Sequence, residues 1–291
     1  MSPNQWAAAL IGAKTLGYAG TLGAAGAVFF LGYAGSLITS SELARIRRLV
    51  LTCAALSAAA GAAHIVLTAG SMSGETAGMW DGSLIRMVWQ AGAGRALEIR
   101  AIGLSLTALA MLMHRPPRWG LLGAAMAATS FAWTGHAQSL SPRVFPVLLL
   151  GAHLLGVAFW MGALAPLDLV ARDGNASRIA AVAERFSAVA VFVVAGLILA
   201  AAPLLWLLLG GFAELWRSSY GRCIALKLAF VAGLLSLAAF NKLRLTPRLR
   251  AGDADAVRSL RTSIRLEMWL GIMVLAVTAT LTTVAGPPAL D

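Results

Sequence analysis

The sequence is poor in charge and in cysteine. Only 12% of its 291 residues are Asp, Glu, Lys or Arg, about half the share of an ordinary soluble domain. With 59% hydrophobic residues and a mean hydropathy of +0.79, the chain has too little polar surface to dissolve as a globule of this size. A cytosolic enzyme and a disordered chain are both excluded on that ground. The 2 cysteines, Cys53 and Cys223, stand far apart in apolar runs, which excludes a disulfide scaffold and any CxxC or zinc-type spacing. No GxxxxGK(S/T) loop is present to bind ATP. No nucleophile–base set or pair of carboxylates shares a site, so catalysis is not expected. No fixed repeat or low-complexity tract divides the chain, and residues 1–291 are read as a single transmembrane domain.

Long apolar runs are what the sequence has in abundance. A helix needs about 20 apolar residues to cross the hydrocarbon core. Eight segments qualify, roughly 14–38, 49–70, 95–113, 119–139, 145–168, 186–210, 222–243 and 264–285. They are continuous, not alternating, so helices are expected and barrel strands are not. The expected fold class is therefore all-α, a polytopic membrane helical bundle of about eight transmembrane helices. Gly17, Gly20, Gly23 and Gly26 give the first span a face of small residues suited to close helix packing.

Charge then orients the bundle. The net charge is +11, which in a soluble protein would suggest nucleic acid. Here the bases cluster between apolar segments, and no aromatic-basic interleaving is seen, so the excess is read as topology and no nucleic-acid partner is expected. Of the 23 bases, 15 fall in the first, third, fifth and seventh connections, with seven of them between Lys242 and Arg265. That side is expected to be cytoplasmic, with both termini periplasmic. The first residues, MSPNQWAAAL, carry no basic n-region, and no removable signal peptide is expected. The longest outer loop, roughly 71–94, should hold an amphipathic helix on the membrane interface around Trp80–Val88. In the linker before the last span, Pro247 should end a helix and Asp253 or Asp255 should cap one. That linker reads as a solvated basic stretch that anchors to anionic lipid.

Ionisable groups inside a membrane are costly and suggest function. Of the 4 histidines, His114 lies at the inner end of the third span and reads as an interface residue. The expected topology puts His64, His136 and His153 in the outer half of three different helices. Imidazoles at similar depth on separate helices suit a transition metal, copper or zinc above all. Cys53, Ser57, His64 and Thr68 make a polar stripe along the second span, either a permeation path or a set of interhelical hydrogen bonds. Met72 and Met79 in the outer loop, and Met161 and Cys53 in the spans, are softer candidate ligands, with core filling the ordinary role of a lone Met. Glu98, Asp168 and Glu267 are candidate proton partners, but each lies near a span end, where solvated or ion-paired roles are the expectation.

The segments SFAWTGHAQ, HLLGVAFWMGALAPL, ERFSAVAV, SSYGRCIALKLAF, FNKLRLTPRL and RLEMWLGIMVLAVTATLTT, in this order, resemble the copper resistance protein D (CopD) family of bacterial inner-membrane proteins. The resemblance covers roughly 130–285, and the first four spans agree with the family in hydropathy and length. It implies an eight-span copper transporter that moves copper from periplasm to cytoplasm. It also implies a periplasmic copper-binding donor of the CopC type, here on a separate chain. By the resemblance, His136 and His153 are the copper positions; His64 is added from depth and topology. Arg185, Ser187, Tyr220, Arg222 and Asn241 match the family and read as structural. No Met-x-x-Met or His-rich tract is present for strong capture.

Two other functions fit the residues. Paired histidines on neighbouring helices can hold a b-type haem for electron transfer. A copper-binding assembly or sensing partner would bind metal without moving it. The oxidation state of copper stays open, since copper(I) favours Met and Cys and copper(II) favours imidazole.

Overall fold

A computed structural model describes residues 1–113, 118–134, 144–172, 175–209 and 214–284. The described chain is an all-α bundle. Its helices are α1 (Pro3–Ala34), α2 (Ser40–Ser73), α3 (Gly82–Gln90), α4 (Gly92–Leu112), α5 (Trp119–Thr129), α6 (Val144–Ala171), α7 (Ala176–Leu209), α8 (Glu214–Arg217), α9 (Ser219–Phe240), α10 (Thr246–Arg250) and α11 (Ala254–Leu281). The sequence writes several of these ends. Ser2 and Gln5 form a capping box at α1, as Thr39 and Glu42 do at α2. Gly74 closes α2 at φ 77°, a left-handed backbone that glycine adopts without strain.

Six described helices are long and apolar enough to cross a membrane. They lie in Pro3–Leu37, Ser40–Ser73, Val144–Ala171, Ala176–Pro203, Ser219–Arg250 and Ala254–Leu281. The third and fourth expected spans correspond to α4 and α5. Arg95, Glu98 and Arg100 interrupt the apolar character of α4, and described α5 has only 11 residues before a 3-10 turn at Ser130–Trp133. The two still pack as an antiparallel pair, with Gly103 against Gly123 and Ala127, and Ala110 against Gly120. Large apolar side chains face outward, among them Phe192 at 79% and Leu199 at 73% exposed. Such an apolar exterior suits lipid contact and would be an aggregation liability in water.

The core is built of small residues. Ala24, Ala25, Ala27, Ala124, Ala127, Ala158 and Ala163 are buried in one cluster, as expected where close backbone approach replaces the hydrophobic effect. α1 is central and packs on α2, α5, α6 and α11. The glycine face of α1 does what its spacing predicts. A Cβ on Gly20 would lie 2.7 Å from the Cys53 carbonyl oxygen, and one on Gly26 would lie 1.9 Å from the Ala158 carbonyl oxygen.

The expected outer-loop helix is α3, nine residues long and capped by Asp81. Trp80 is exposed beside it, and Val88 packs on Ile65 and Ala69 of α2. At the opposite end of the bundle the basic linker differs from its expected form. Asp253 caps α11, which already begins at Ala254 and runs unbroken to Leu281. Pro247 opens α10 and does not end a helix; before it the chain passes through a π-helical stretch, Asn241–Leu245. Several of the arginines pair with carboxylates of the protein itself. Arg250 bonds Glu184, Arg248 bonds Asp253 and Arg258 bonds Asp255, and Arg261 and Arg265 approach Asp168.

Candidate functional site

Away from the arginine-rich end, α1, α2, α4, α6, α9 and α11 enclose a cavity of about 610 Å³. His64 from α2 and His153 from α6 both line it. His64 lies one turn beyond Ala60 and Gly61, which also line the wall, and Thr68 donates to the His64 carbonyl oxygen at 2.7 Å. The lining of α6 is Leu150, His153, Leu154 and Val157, the helical face that His153 shares. The Nδ1 atom of His153 is buried and makes no hydrogen bond of good geometry among the described residues, although the ring lies close to the Leu197 backbone. An imidazole nitrogen without such a bond keeps a lone pair or a proton for a guest. His136 and His114 lie outside the described residues. Trp133 and Thr134, the last described residues before His136, line the same cavity.

Three cations share the cavity with the histidines: Lys14, Arg100 and Lys227. Lys14 donates to the Thr282 carbonyl oxygen at 2.7 Å. Arg100 donates to the Ser130 hydroxyl at 3.0 Å, and its guanidinium carbon stands 3.7 Å from the centre of the Phe131 ring, a cation–π arrangement. Tyr18 packs against the same ring and lies 3.5 Å from the Thr282 hydroxyl. None of the described lining residues is acidic. The cavity therefore carries two imidazoles and a surplus of positive charge. It repels a bare cation unless a nitrogen or sulfur donor binds it, and it favours a guest that brings an anionic group. In the sequence these three cations read only as part of the charge bias between the two ends. The signal that finds them is the cost of a charge within an apolar span.

The other candidates separate from this cavity. Cys53 packs against Gly20 and Gly23 of α1 and is not among the lining residues. Ser57 is buried and shares a 2.7 Å hydrogen bond with Thr21. The polar stripe on α2 is thus an interhelical seam over its lower half and opens to the cavity only at His64. Met161 fills space against Gly271 of α11, as core methionines do. Met72 is 52% exposed at the end of α2, and Met79 packs beside Gly70. Among the described residues no cluster of three or more His, Cys, Asp and Glu stands ready to hold a metal. Trp160, on the His153 side of α6, faces a second cavity towards the arginine-rich end. There Asn241 donates to Glu267, and Ser187 joins the lining. Arg185 instead bonds Ser36 and the Tyr33 carbonyl oxygen.

Comparison with known proteins covers most of the chain. The family model described as "Copper resistance protein D-like, N-terminal domain" matches residues 3–141, and "Copper resistance protein D" matches residues 180–281. The match over 3–141 extends the resemblance into the first spans. Copper resistance protein D of Pseudomonas syringae pv. tomato is 29% identical over 243 residues, which cover 76% of this chain and 78% of that protein. No solved structure matches.

Proposed function

The chain belongs to the copper resistance protein D family, a multi-pass membrane protein with a role in copper handling, and from that premise we propose that it carries copper through the bacterial inner membrane from periplasm to cytoplasm. The observation that supports this most is the shared cavity of His64 and His153, fed by α2 and α6. His136, two positions beyond the lining residue Thr134, is proposed as the third imidazole. Copper would enter from the side of α3, pass the exposed Met72, and dwell on the imidazoles. A few donors of moderate strength select copper and still release it, which conduction requires. With three cations nearby, the histidines bind as neutral imidazoles, and copper loses part of its affinity to repulsion. Weak holding of this kind suits a carrier better than a store. A CopC-type periplasmic protein is proposed to deliver the ion.

The test is cellular copper in strains carrying His64→Ala, His136→Ala or His153→Ala. Each is expected to lower uptake at least fivefold with the protein level unchanged. Uptake equal to wild type in all three would remove the imidazoles from the mechanism.

A b-type haem is the second reading, and one observation favours it. Two histidines on facing helices and three cations suited to carboxylate side arms share a cavity of about 610 Å³. A Soret band in the purified protein with no copper by elemental analysis would replace the transport reading with this one.

A further inference from the structure

The arginine-rich end of the bundle pairs its carboxylates with cations. Glu42 bonds Arg178, Asp168 faces Arg172, Arg261 and Arg265, Glu184 bonds Arg250, Asp253 bonds Arg248, and Asp255 bonds Arg258. Glu267 differs from all of these. It is only 2% exposed, and among the described residues its hydrogen-bond partner is the neutral amide of Asn241 at 2.6 Å. The surroundings supply oxygen and N–H groups without partners. The Asn241 Oδ1, the Ser263 hydroxyl one turn earlier on α11, and the Trp160 Nε1 are all buried and unpartnered among the described residues.

Glu267, Asn241 and Trp160 line one cavity of about 260 Å³ together with Ser187, Lys242 and Thr246. Asn241 also begins the π-helical stretch, where Thr246 donates back to the Asn241 carbonyl oxygen at 3.0 Å. A π-turn is a strained interruption that recurs where a helix serves a ligand. Broken helices with exposed carbonyls are likewise where membrane transporters hold a coupling ion.

From this juxtaposition we propose that Glu267 is a proton-binding site that couples copper movement to a proton gradient, an inference that rests on the transport reading. A carboxyl in an apolar setting with a neutral partner can exist protonated, and losing the proton costs the desolvation of an anion. The carboxylate takes up a proton from one side and gives it up to the other, so the site changes by one charge and no other bond is made. Lys242 is the other titratable residue in the lining. Of the elements packed around it, α6 presents Asp168 and α7 presents Glu184, both held by arginines. α10 presents Arg248 and Arg250, and α11 presents Arg261 and Arg265, each already facing a carboxylate. Lys242 is exposed and Glu267 is buried, so Glu267 is the buried carboxylate of this lining that faces no arginine among the described residues.

The experiment uses the full chain in liposomes with a copper reporter and a pH reporter inside. Wild type is expected to move copper several times faster under an imposed pH gradient than without one, with an accompanying proton signal. Glu267→Gln, which preserves size and hydrogen bonding to Asn241, is expected to bind copper like wild type and to lose the dependence on the gradient. Should this variant fold poorly, carbodiimide labelling of wild-type Glu267 read by mass spectrometry replaces it, and labelling should fall as pH rises. Copper uptake that ignores the pH gradient, or follows a sodium gradient instead, overturns the coupling alone. Absence of any copper movement by wild type overturns the transport reading and the coupling with it.

Discussion

Gly26→Ala tests the contact on which the central cavity depends. A methyl carbon at Gly26 would lie 1.9 Å from the Ala158 carbonyl oxygen and 2.4 Å from the Gly162 Cα. Both are backbone atoms on α6, so no side chain can rotate away. Ordinary contact needs about 3.5 Å, so α1 and α6 must separate by about 1 to 1.6 Å. Overpacking of this kind costs about 1–3 kcal/mol and more where backbone must move. The gain in helix propensity, about 1 kcal/mol for Gly→Ala, offsets part of it; with backbone on both sides of the contact the cost lies at or above the upper end of that range, and a net loss of about 2 kcal/mol is expected. Gly12 and Gly196 are controls, since a Cβ at either meets nothing within 4 Å. Gly12→Ala and Gly196→Ala should be neutral or slightly stabilising. The assay is unfolding of the purified chain in detergent, followed by tryptophan fluorescence. Because α1 and α6 also supply Leu22, Leu154, Val157 and His153 to the cavity, Gly26→Ala should weaken copper binding as well. Stability and binding equal to both controls would refute the close crossing of α1 and α6.

Three further outcomes follow. Met161→Leu and Cys53→Ser should leave copper stoichiometry unchanged by elemental analysis, because neither side chain lines the cavity; loss of an ion in either would restore them as ligands. Lys227→Met should raise copper affinity severalfold, since it removes one of the three cations that share the cavity with the histidines, and a like charge nearby repels by on the order of 1 kcal/mol at an effective dielectric of about 20. The same change should weaken a haem that uses the lysine, so a titration separates the two readings by sign. Arg178→Ala leaves the Glu42 carboxylate, 0% exposed, without its 2.6 Å partner. A loss of about 3–5 kcal/mol is expected for one half of a buried pair, and Glu42→Gln in the same background should recover much of it.

Much of the bundle was readable because lipid imposes simple rules. Apolar runs of sufficient length must be helices, and the glycine spacing on α1 announced close packing that the crossings with α2 and α6 realise. Helix ends were less legible. α11 begins at Ala254, ten residues before its apolar run, because Asp253 caps it and paired arginines make a polar first half tolerable. The site was legible only in part. His64 and His153 stand out as rare ionisable groups in apolar runs. The tally of charges by loop obscured that Lys14, Arg100 and Lys227 converge, since they come from three helices distant in sequence.

Sequence alone determined that this is a polytopic helical membrane protein of the copper resistance protein D type, with a strong charge bias between its two ends. Hydropathy and charge are properties of each segment by itself, and the solvent acts on them directly. Tertiary structure decided which polar groups meet. It closed the Cys53–Ser57 seam against α1, joined two imidazoles to three cations in one cavity, and left Glu267 beside an amide where its neighbours have arginines. The reason is geometric: a residue's partner depends on how each helix is rotated and crossed, and that is fixed by packing among all of them at once.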